Sequence, residues 1–473
     1  MALAFAVYAA TLSTDLYSLD SPELAAVAYR LGIAHAPGYP LYTLVGWAFS
    51  HALPVGSVAF RLNLLSAVFA TAGCGVAYLL ALRLTSRPLV AAAGALALGF
   101  SYYFWFVSLA AEVYTLDALL FLSLLLVALH WRDGRSLPLA AVAGLIFGLA
   151  CATRTTSVLF FPALVAFVAL SGERRPAAWG AAAAGVLGGL SFYLYLPLRS
   201  LAGVDLGPGQ YGADGTLRVW DMATLSGFWN HVTASDFQDD VFAYSASGIA
   251  GEAGTFVVRL AGAFLFVGLP LGVAGIVRQW RTDRALLFLV AGLALPQAVF
   301  FIGYGAVDKE FMFLPVYIAW ALWVIIGLDW LVDAVSSGER AWLTPSAASV
   351  AVLALPLLLV AVNWSRVTLH EERGIRADAE AFFALVPQDA IVYGPFWDLA
   401  PLTYLQEVEG QRTDVRLVNN WTSDDRLLVA MAEANVGARP FFVTRHFIAL
   451  QEDYVLRALP DKQGYEVLPG RER

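Results

Sequence analysis

The chain has 473 residues, of which 59% are hydrophobic and only 14% charged, with a formal net charge of −8. Soluble domains carry roughly 25% charged residues, so composition excludes an ordinary soluble enzyme, and the acidic balance speaks against a nucleic-acid partner. The two cysteines, Cys74 and Cys151, both lie in apolar runs; they read as small apolar filler rather than as a disulfide framework. Apolar runs of about 20 residues fit helical membrane spans, not the short alternating segments of a barrel.

Eleven spans are predicted, at about 1–17, 59–82, 89–107, 113–131, 138–152, 156–171, 176–197, 253–277, 285–304, 314–334 and 346–364. The first, "MALAFAVYAATLSTDLYSL", lacks a basic leader and a clear cleavage site. It reads as a retained span, short enough to be tilted or to begin downstream of the true start. It also holds Asp15.

The stretch "DSPELAAVAYRLGIAHAPGYPLY", residues 20–42, follows. Asp20 and Glu23 have the spacing of a capping box, and Pro22 suits a first helical turn. "ELAAVAYRLGI" reads as an amphipathic helix lying on the membrane surface and ending at Gly32. "HAPGYPLY" reads as a turn into a second helix, with Pro37 and Pro40 restricting the backbone and Gly38 permitting a tight bend. His35 taken alone fits a capping or interfacial histidine. A simple loop between two spans needs none of this, and carboxylates at the mouth of a helical bundle mark functional sites. Cap and catalyst both stand, and they are compatible.

Farther along, Glu112 and Tyr114 lie in the turn between the third and fourth spans; Glu112 suits either a helix N-terminus or a ligand. The run 138–171 is too long for one straight helix, and "CATRTTS" sets Arg154 at its middle. A broken pair of short helices with Arg154 at the turn avoids a lipid-facing arginine. Arg199 ends the seventh span, as an interfacial anchor or an anion ligand. The loop 198–252 holds "GFWNHVTASDF", with Trp229, His231 and Asp236; it suits sugar or acceptor binding, or a packed amphipathic helix on the membrane. Lysine occurs only at Lys309 and Lys462. Lys309 sits between Asp308 and Glu310, as a paired loop charge or as a phosphate ligand.

Arginines set the orientation. Arg83 and Arg87, Arg132 and Arg135, Arg174 and Arg175, Arg278, Arg281 and Arg284, and Arg340 follow alternate spans. The positive-inside rule places these loops in the cytoplasm, and the first loop (18–58), the loop 198–252 and the tail outside. From 365 to 473 the chain becomes charged and mixed. "AIVYGPFW", "DVRLVNN" and "RPFFVTR" read as buried strands, with helices "LAPLTYLQEVEG" and "SDDRLLVAMAEANVG" between them. This predicts a small extracytoplasmic α/β domain with a parallel sheet after a transmembrane domain of 1–364. No glycine-rich phosphate loop follows a strand, and no cluster of histidine and cysteine suggests zinc.

"DSPE", "LGIAHAPGYPLY" and "RLNLLSA" resemble the protein O-mannosyltransferase-like family of the GT-C membrane glycosyltransferase superfamily. The family's pattern is roughly Asp-Ser-Gly-Glu, a short helix, then His-Pro-Pro-Gly-Tyr-Pro-Leu. Pro22 and Ala36 depart from it, while Asp20, Glu23, His35, Pro37, Gly38 and Tyr39 stay in register. "AAEVYTLDALL", "YLPLRS" and "VDKEFMFLP" are similar too. The resemblance implies a GT-C-like bundle in the plasma membrane, with surface helices on its outer face. It implies inverting transfer of a mannose-like or glucose-like hexose from a polyprenyl-phosphate donor to an acceptor hydroxyl of a protein serine or threonine, or of a glycan or lipid. Asp20 or Glu23 would take the proton, with Asp15 a third choice. Lys309, Arg199, Arg154, His35 and Tyr39 would bind the donor and its phosphate, with Glu112, Tyr114, Asp308, Glu310, Trp229 and His231 as further candidates. A divalent metal is compatible with this chemistry and not required by it. The alternative is a transporter or flippase for a lipid-linked or small polar substrate; such proteins show related halves, and no internal symmetry is evident here.

Overall fold

A computed structural model describes residues 1–306, 308–337, 342–420 and 425–470. Arg340, used above for orientation, lies outside the described residues, as does Val307 of the "VDKEFMFLP" block. Among the described residues six helices are long and apolar enough to cross a membrane: Val58–Leu84, Tyr114–Gly134, Pro176–Leu201, Arg284–Gly303, Leu314–Ser336 and Pro345–Val367. Four shorter apolar helices, Ala2–Thr11, Pro88–Gly99, Leu137–Thr153 and Thr155–Leu170, coincide with the first, third, fifth and sixth predicted spans. The chain is a multi-pass α-helical membrane protein, but these lengths do not establish eleven crossings.

The eighth predicted span is not straight. Ala246–Ala263 and Gly268–Thr282 meet at 94°. Leu265 (φ 53°) and Phe266 (φ 61°) are left-handed at the break, a conformation through which an L-residue helix does not continue. Composition alone cannot reveal such a bend, because the whole stretch is apolar. The break at Arg154 is present: one helix ends at Thr153, and Arg154 is extended before the next turn begins.

Four helices and one sheet position the site. α1 is Ser21–Arg30, α2 is Pro40–Ala52 and α3 is Val58–Leu84. α1 differs from the predicted surface helix: Ser21 to Ala28 are all buried, and only its last turn meets solvent. Its small side chains, Ala25, Ala26 and Ala28, let neighbours approach from every side. Between the bundle and the tail, a hairpin of β1 (Gly209–Tyr211) and β2 (Leu217–Val219) leads to α4 (Leu225–Val232), which Thr224 caps by accepting from the Gly227 N–H at 3.1 Å.

The tail forms a five-stranded sheet from β3 (Ile391–Pro395), β4 (Arg416–Asn420), β5 (Phe441–Val443), β6 (Tyr454–Ala458) and β7 (Tyr465–Pro469), in the order β4-β3-β5-β7-β6. β3 pairs in parallel with both β4 and β5. The two final strands are antiparallel and were not predicted; their alternating, half-exposed pattern lacks the continuous apolar run of a buried strand. α5 (Phe396–Glu409) connects β3 to β4, and α6 (Arg426–Asn435) connects β4 to β5.

This small domain is not tethered loosely. Leu24, Ala25 and Val27 of α1, Leu62 of α3, and Leu399, Leu402 and Tyr404 of α5 share one buried core. The Ala59 N–H donates to the Tyr404 hydroxyl at 3.0 Å. The hairpin tip is pinned to the sheet, where Arg416 donates to the Asp214 carbonyl at 2.6 Å and Asn435 to that of Ala213 at 2.5 Å. α1 therefore lies between bundle and sheet domain, and whatever α1 carries is shaped by both.

Candidate active site

Three left-handed residues frame the loop region: Leu19 (φ 61°) before α1, Leu31 (φ 53°) after it and Tyr39 (φ 43°) before α2. Each costs about 1–2 kcal/mol for an L-residue, and such strain concentrates at functional sites. The capping box predicted for Asp20 and Glu23 is absent: Asp20 itself has helical backbone angles and makes no side-chain cap. Glu23 points instead to the turn, where the His35 backbone N–H donates to Oε1 at 2.8 Å and His35 Nδ1 stands 2.5 Å from Oε2. Both residues are 8% exposed. One carboxylate thus fixes the histidine twice, by main chain and by ring.

The far edge of the ring faces Asp20. His35 Nε2 lies 3.7 Å from Asp20 Oδ2 and 3.0 Å from the Tyr39 hydroxyl. Burial opposes a charge on His35, but Glu23 and then Asp20 outweigh it and raise its pKa to about 9. Burial raises the Asp20 carboxyl to about 7, with His35 pulling it down and Asp308 and Glu23 pushing it up. At neutral pH the imidazole is a cation held between two acids, and Asp20 is poised to gain or lose a proton.

Glu112 completes this acidic group. It is 6% exposed, and its Oε2 has no hydrogen-bond partner. Burial, then the charges of Asp20, Asp308 and Glu23, hold its pKa well above the usual carboxylate range. Burial likewise raises Asp308. Among the described residues, no group of three or more His, Cys, Asp or Glu side chains is placed to hold a metal ion.

The cations are distributed unevenly. Arg154 is 7% exposed, 3.4 Å from Asp117, and lies over the Tyr114 ring at 4.9 Å. Its charge acts on Tyr39, Glu112 and Asp308, so it belongs to the acidic group. Lys309 is only 4% exposed and pairs with neither Asp308 nor Glu310. It meets Glu252 at 2.9 Å and donates to the Tyr304 carbonyl at 2.9 Å and the Tyr244 hydroxyl at 3.2 Å. Glu310 faces Arg259 at 3.4 Å. Arg199 donates to the Leu31 carbonyl at 2.7 Å, holding the end of α1. Asp15 is engaged by Arg376 of the tail at 2.6 and 2.9 Å.

The long loop closes the other side of the His35 turn. His231 is 2% exposed and meets the Ala34 carbonyl at 3.1 Å; burial lowers its pKa to about 4. A Cβ on Gly38 would lie 3.1 Å from His231 Nε2, and Gly38 has φ 92°, so glycine is needed there twice over. Trp229, on the same helix, is 62% exposed and turned away.

Several partners were not singled out from sequence. Asn63 of α3 donates to the Ser13 and Asp15 carbonyls, both at 2.9 Å, and accepts from the Ala111 N–H at 2.8 Å. It joins the loop before Asp20 to the loop carrying Glu112. Asp117 carried a signal, as an acid inside an apolar run. Phe396, at the start of α5, sets its ring edge-on to His35 with centroids 5.8 Å apart; no pattern in the sequence pairs those two positions.

Residues 20–177 match the family model "Protein O-mannosyl-transferase TMEM260 N-terminal domain". The chain is 27% identical over 448 residues to the mouse Protein O-mannosyl-transferase TMEM260, covering 88% of this chain and 61% of that protein. It is 29% identical over 113 residues to the tmem260 protein of Dictyostelium discoideum, covering 24% of this chain and 14% of that one. The matches thus span about three fifths of the mouse relative and one seventh of the Dictyostelium relative. Among solved structures, ArnT from Cupriavidus metallidurans bound to undecaprenyl phosphate aligns with TM-score 0.65 at 14% identity, covering 100% of this chain and 98% of that one. The apo state of the same protein aligns with TM-score 0.62 at 13% identity, over the same shares of both chains. Family model, named relatives and fold agree on what the chain is similar to: protein O-mannosyl-transferases in sequence and, in fold, ArnT.

Proposed function

We propose that the protein is a membrane glycosyltransferase that moves a hexose from a polyprenyl-phosphate carrier to an acceptor hydroxyl of a protein serine or threonine, with inversion, on the outer face of the membrane. The observation that carries this reading is the Asp20–His35–Glu23 chain, its His35 and Glu23 buried and its Asp20 partly exposed where bundle and tail domain meet. The names of the relatives support a protein acceptor, and the undecaprenyl phosphate in the ArnT structure supports a polyprenyl carrier. The arginine distribution supports the outer face.

In this mechanism Asp20 is the base. A carboxyl with pKa about 7 is ionised in a useful fraction at neutral pH and is still basic enough to take a proton. The acceptor oxygen attacks the anomeric carbon, the bond from that carbon to the phosphate oxygen breaks, and the acceptor proton passes to Asp20. Charge that builds on the sugar has oxocarbenium character, which the surrounding carboxylates favour. Arg154 is the cation best placed to offset charge on the departing phosphate. Lys309 and Arg199 would act there only by leaving their present partners. Glu23 holds His35, and His35 holds Asp20 ionised.

The test is transfer from polyprenyl-phosphate mannose and glucose to serine- and threonine-containing peptides by the purified protein and by Asp20→Asn. The expected loss in Asp20→Asn is about 10²–10⁴-fold, the usual contribution of a general base. No transfer by the unmodified protein across donors and acceptors, or full activity in the variant, overturns the reading.

A further inference from the structure

The tail domain has a feature that the proposed chemistry leaves unused. β3 is first in sequence and central in its parallel segment; α5 leads to β4 on one side of it, and α6 leads back across to β5 on the other. The chain leaving β3 and the chain leaving β5 therefore part in opposite directions. In open α/β sheets this switch point, at the carboxyl ends of the strands, is where ligands bind.

Here the lips of that crevice are Phe396–Asp398, after β3, and Thr444–Arg445, after β5. Asp398 ties them together, accepting from Thr444 Oγ1 at 2.8 Å and from Arg445 Nε and Nη2, both at 2.7 Å. The pair is open to water: the Arg445 side chain is 57% exposed and that of Asp398 is 24% exposed. Trp397, a large apolar ring, is 47% exposed beside them. The residue before it, Phe396, meets the Trp397 ring edge-on, with centroids 6.4 Å apart, and the His35 ring, with centroids 5.8 Å apart. Two consecutive rings thus link the crevice to the histidine next to Asp20.

We propose that the crevice between the carboxyl ends of β3 and β5 binds the acceptor as an extended polypeptide, with Trp397 and Arg445 as its contacts, and feeds a serine or threonine hydroxyl past Phe396 to Asp20. This rests on the transfer reaction proposed above. The crevice belongs to the sheet domain rather than to the apolar bundle, so its ligand comes from water and not from the bilayer. An exposed aromatic ring beside a charged pair offers area for side chains together with a donor and an acceptor for main-chain amides.

The experiment uses the full chain in detergent or nanodiscs, with a lipid-linked sugar it transfers and a serine- and threonine-rich peptide. Initial rates are measured against peptide at saturating donor and against donor at saturating peptide, for Trp397→Ala, Arg445→Ala and the conservative Trp397→Phe and Arg445→Lys. Both positions are exposed, and unchanged thermal unfolding checks that the variants fold. The KM for peptide is expected to rise at least about tenfold in the alanine variants and to recover in part in the conservative ones, the scale of one interfacial anchor. The donor KM, kcat at saturating peptide and slow hydrolysis of the donor by water stay unchanged. An unchanged peptide KM overturns the proposal. So does a fall in hydrolysis in step with transfer, or an effect seen only with an oligosaccharide acceptor. Absence of any transfer by the unmodified protein overturns the parent reading instead, and is recognised before any variant is compared.

Discussion

Glu23 binds His35 at two points, its Oε1 taking the backbone N–H at 2.8 Å and its Oε2 lying 2.5 Å from Nδ1. The carboxylate that a capping box would spend on its own helix is spent on a turn twelve residues away. That use predicts different outcomes for two substitutions. Glu23→Ala removes the counter-charge of a buried cation and is expected to destabilise the protein by about 3 kcal/mol, the cost of breaking a buried pair on one side. Glu23→Gln keeps an acceptor for the backbone N–H but loses the charge. It is expected to fold near normally while the His35 pKa falls from about 9 toward its ordinary range. Thermal unfolding in detergent and an NMR titration of the His35 imidazole measure the two effects; equal melting points for Ala and Gln would contradict the double contact.

The same chain predicts the pH dependence. If Asp20 is the base, as proposed, it acts ionised, so kcat/KM should rise with pH through about 7. His35 loses its charge only as pH passes about 9, where Asp20 is already ionised, so the rate should stay on a plateau there. Since His35 lowers the Asp20 pKa, His35→Gln should shift the acidic limb to higher pH rather than remove it. Stability follows a separate sign. A histidine whose folded pKa exceeds its unfolded value of roughly 6.5 stabilises fully below that pH, and the contribution is lost as pH rises through about 9. A pH–rate profile flat between 6 and 8 would exclude Asp20 as the titrating base.

Much of this site was legible in the sequence, for a definable reason. Asp20, Glu23, His35 and Tyr39 fall within 20 residues, so local spacing together with the family pattern identifies them. The breaks at Arg154 and around the tail strands are local as well. The partnerships were not legible. His35 with Phe396, Asp15 with Arg376 and Lys309 with Glu252 join residues tens to hundreds of positions apart, and no periodicity encodes such pairs. α1 shows the limit of pattern reading: its amphipathic pattern suggested a helix on the membrane surface, yet its apolar residues share a buried core with Leu399, Leu402 and Tyr404 of the tail domain. Tertiary packing overrode an amphipathic pattern.

Asn63 tests how far the site depends on a residue that touches no proposed substrate. It satisfies three main-chain groups in two loops, one leading to Asp20 and one carrying Glu112, and it is fully buried. Asn63→Ala should leave those groups without partners and lower stability by about 3 kcal/mol, at roughly 1 kcal/mol or more for each. Asn63→Asp keeps the acceptor for Ala111 but turns a carboxylate toward two carbonyls, and should be no better. A loss under about 0.5 kcal/mol in Asn63→Ala would mean that packing alone holds the loops.

Arg154 presents the opposite problem, because its structural role and its proposed chemical role fall on one side chain. It neutralises Asp117, which is 1% exposed and also accepts from Ser157 at 3.1 Å. Arg154→Gln alone strands that carboxylate and should cost several kcal/mol, so lost activity would say little. Asp117→Asn combined with Arg154→Gln removes both charges, and the stability loss should largely disappear. If Arg154 only balances Asp117, the double variant regains transfer. If it offsets charge on the leaving phosphate, kcat stays low, by about 10²-fold or more, while the protein melts near its original temperature. Recovery of kcat in the double variant would remove Arg154 from the mechanism and leave Lys309, released from Glu252, as the cation to examine.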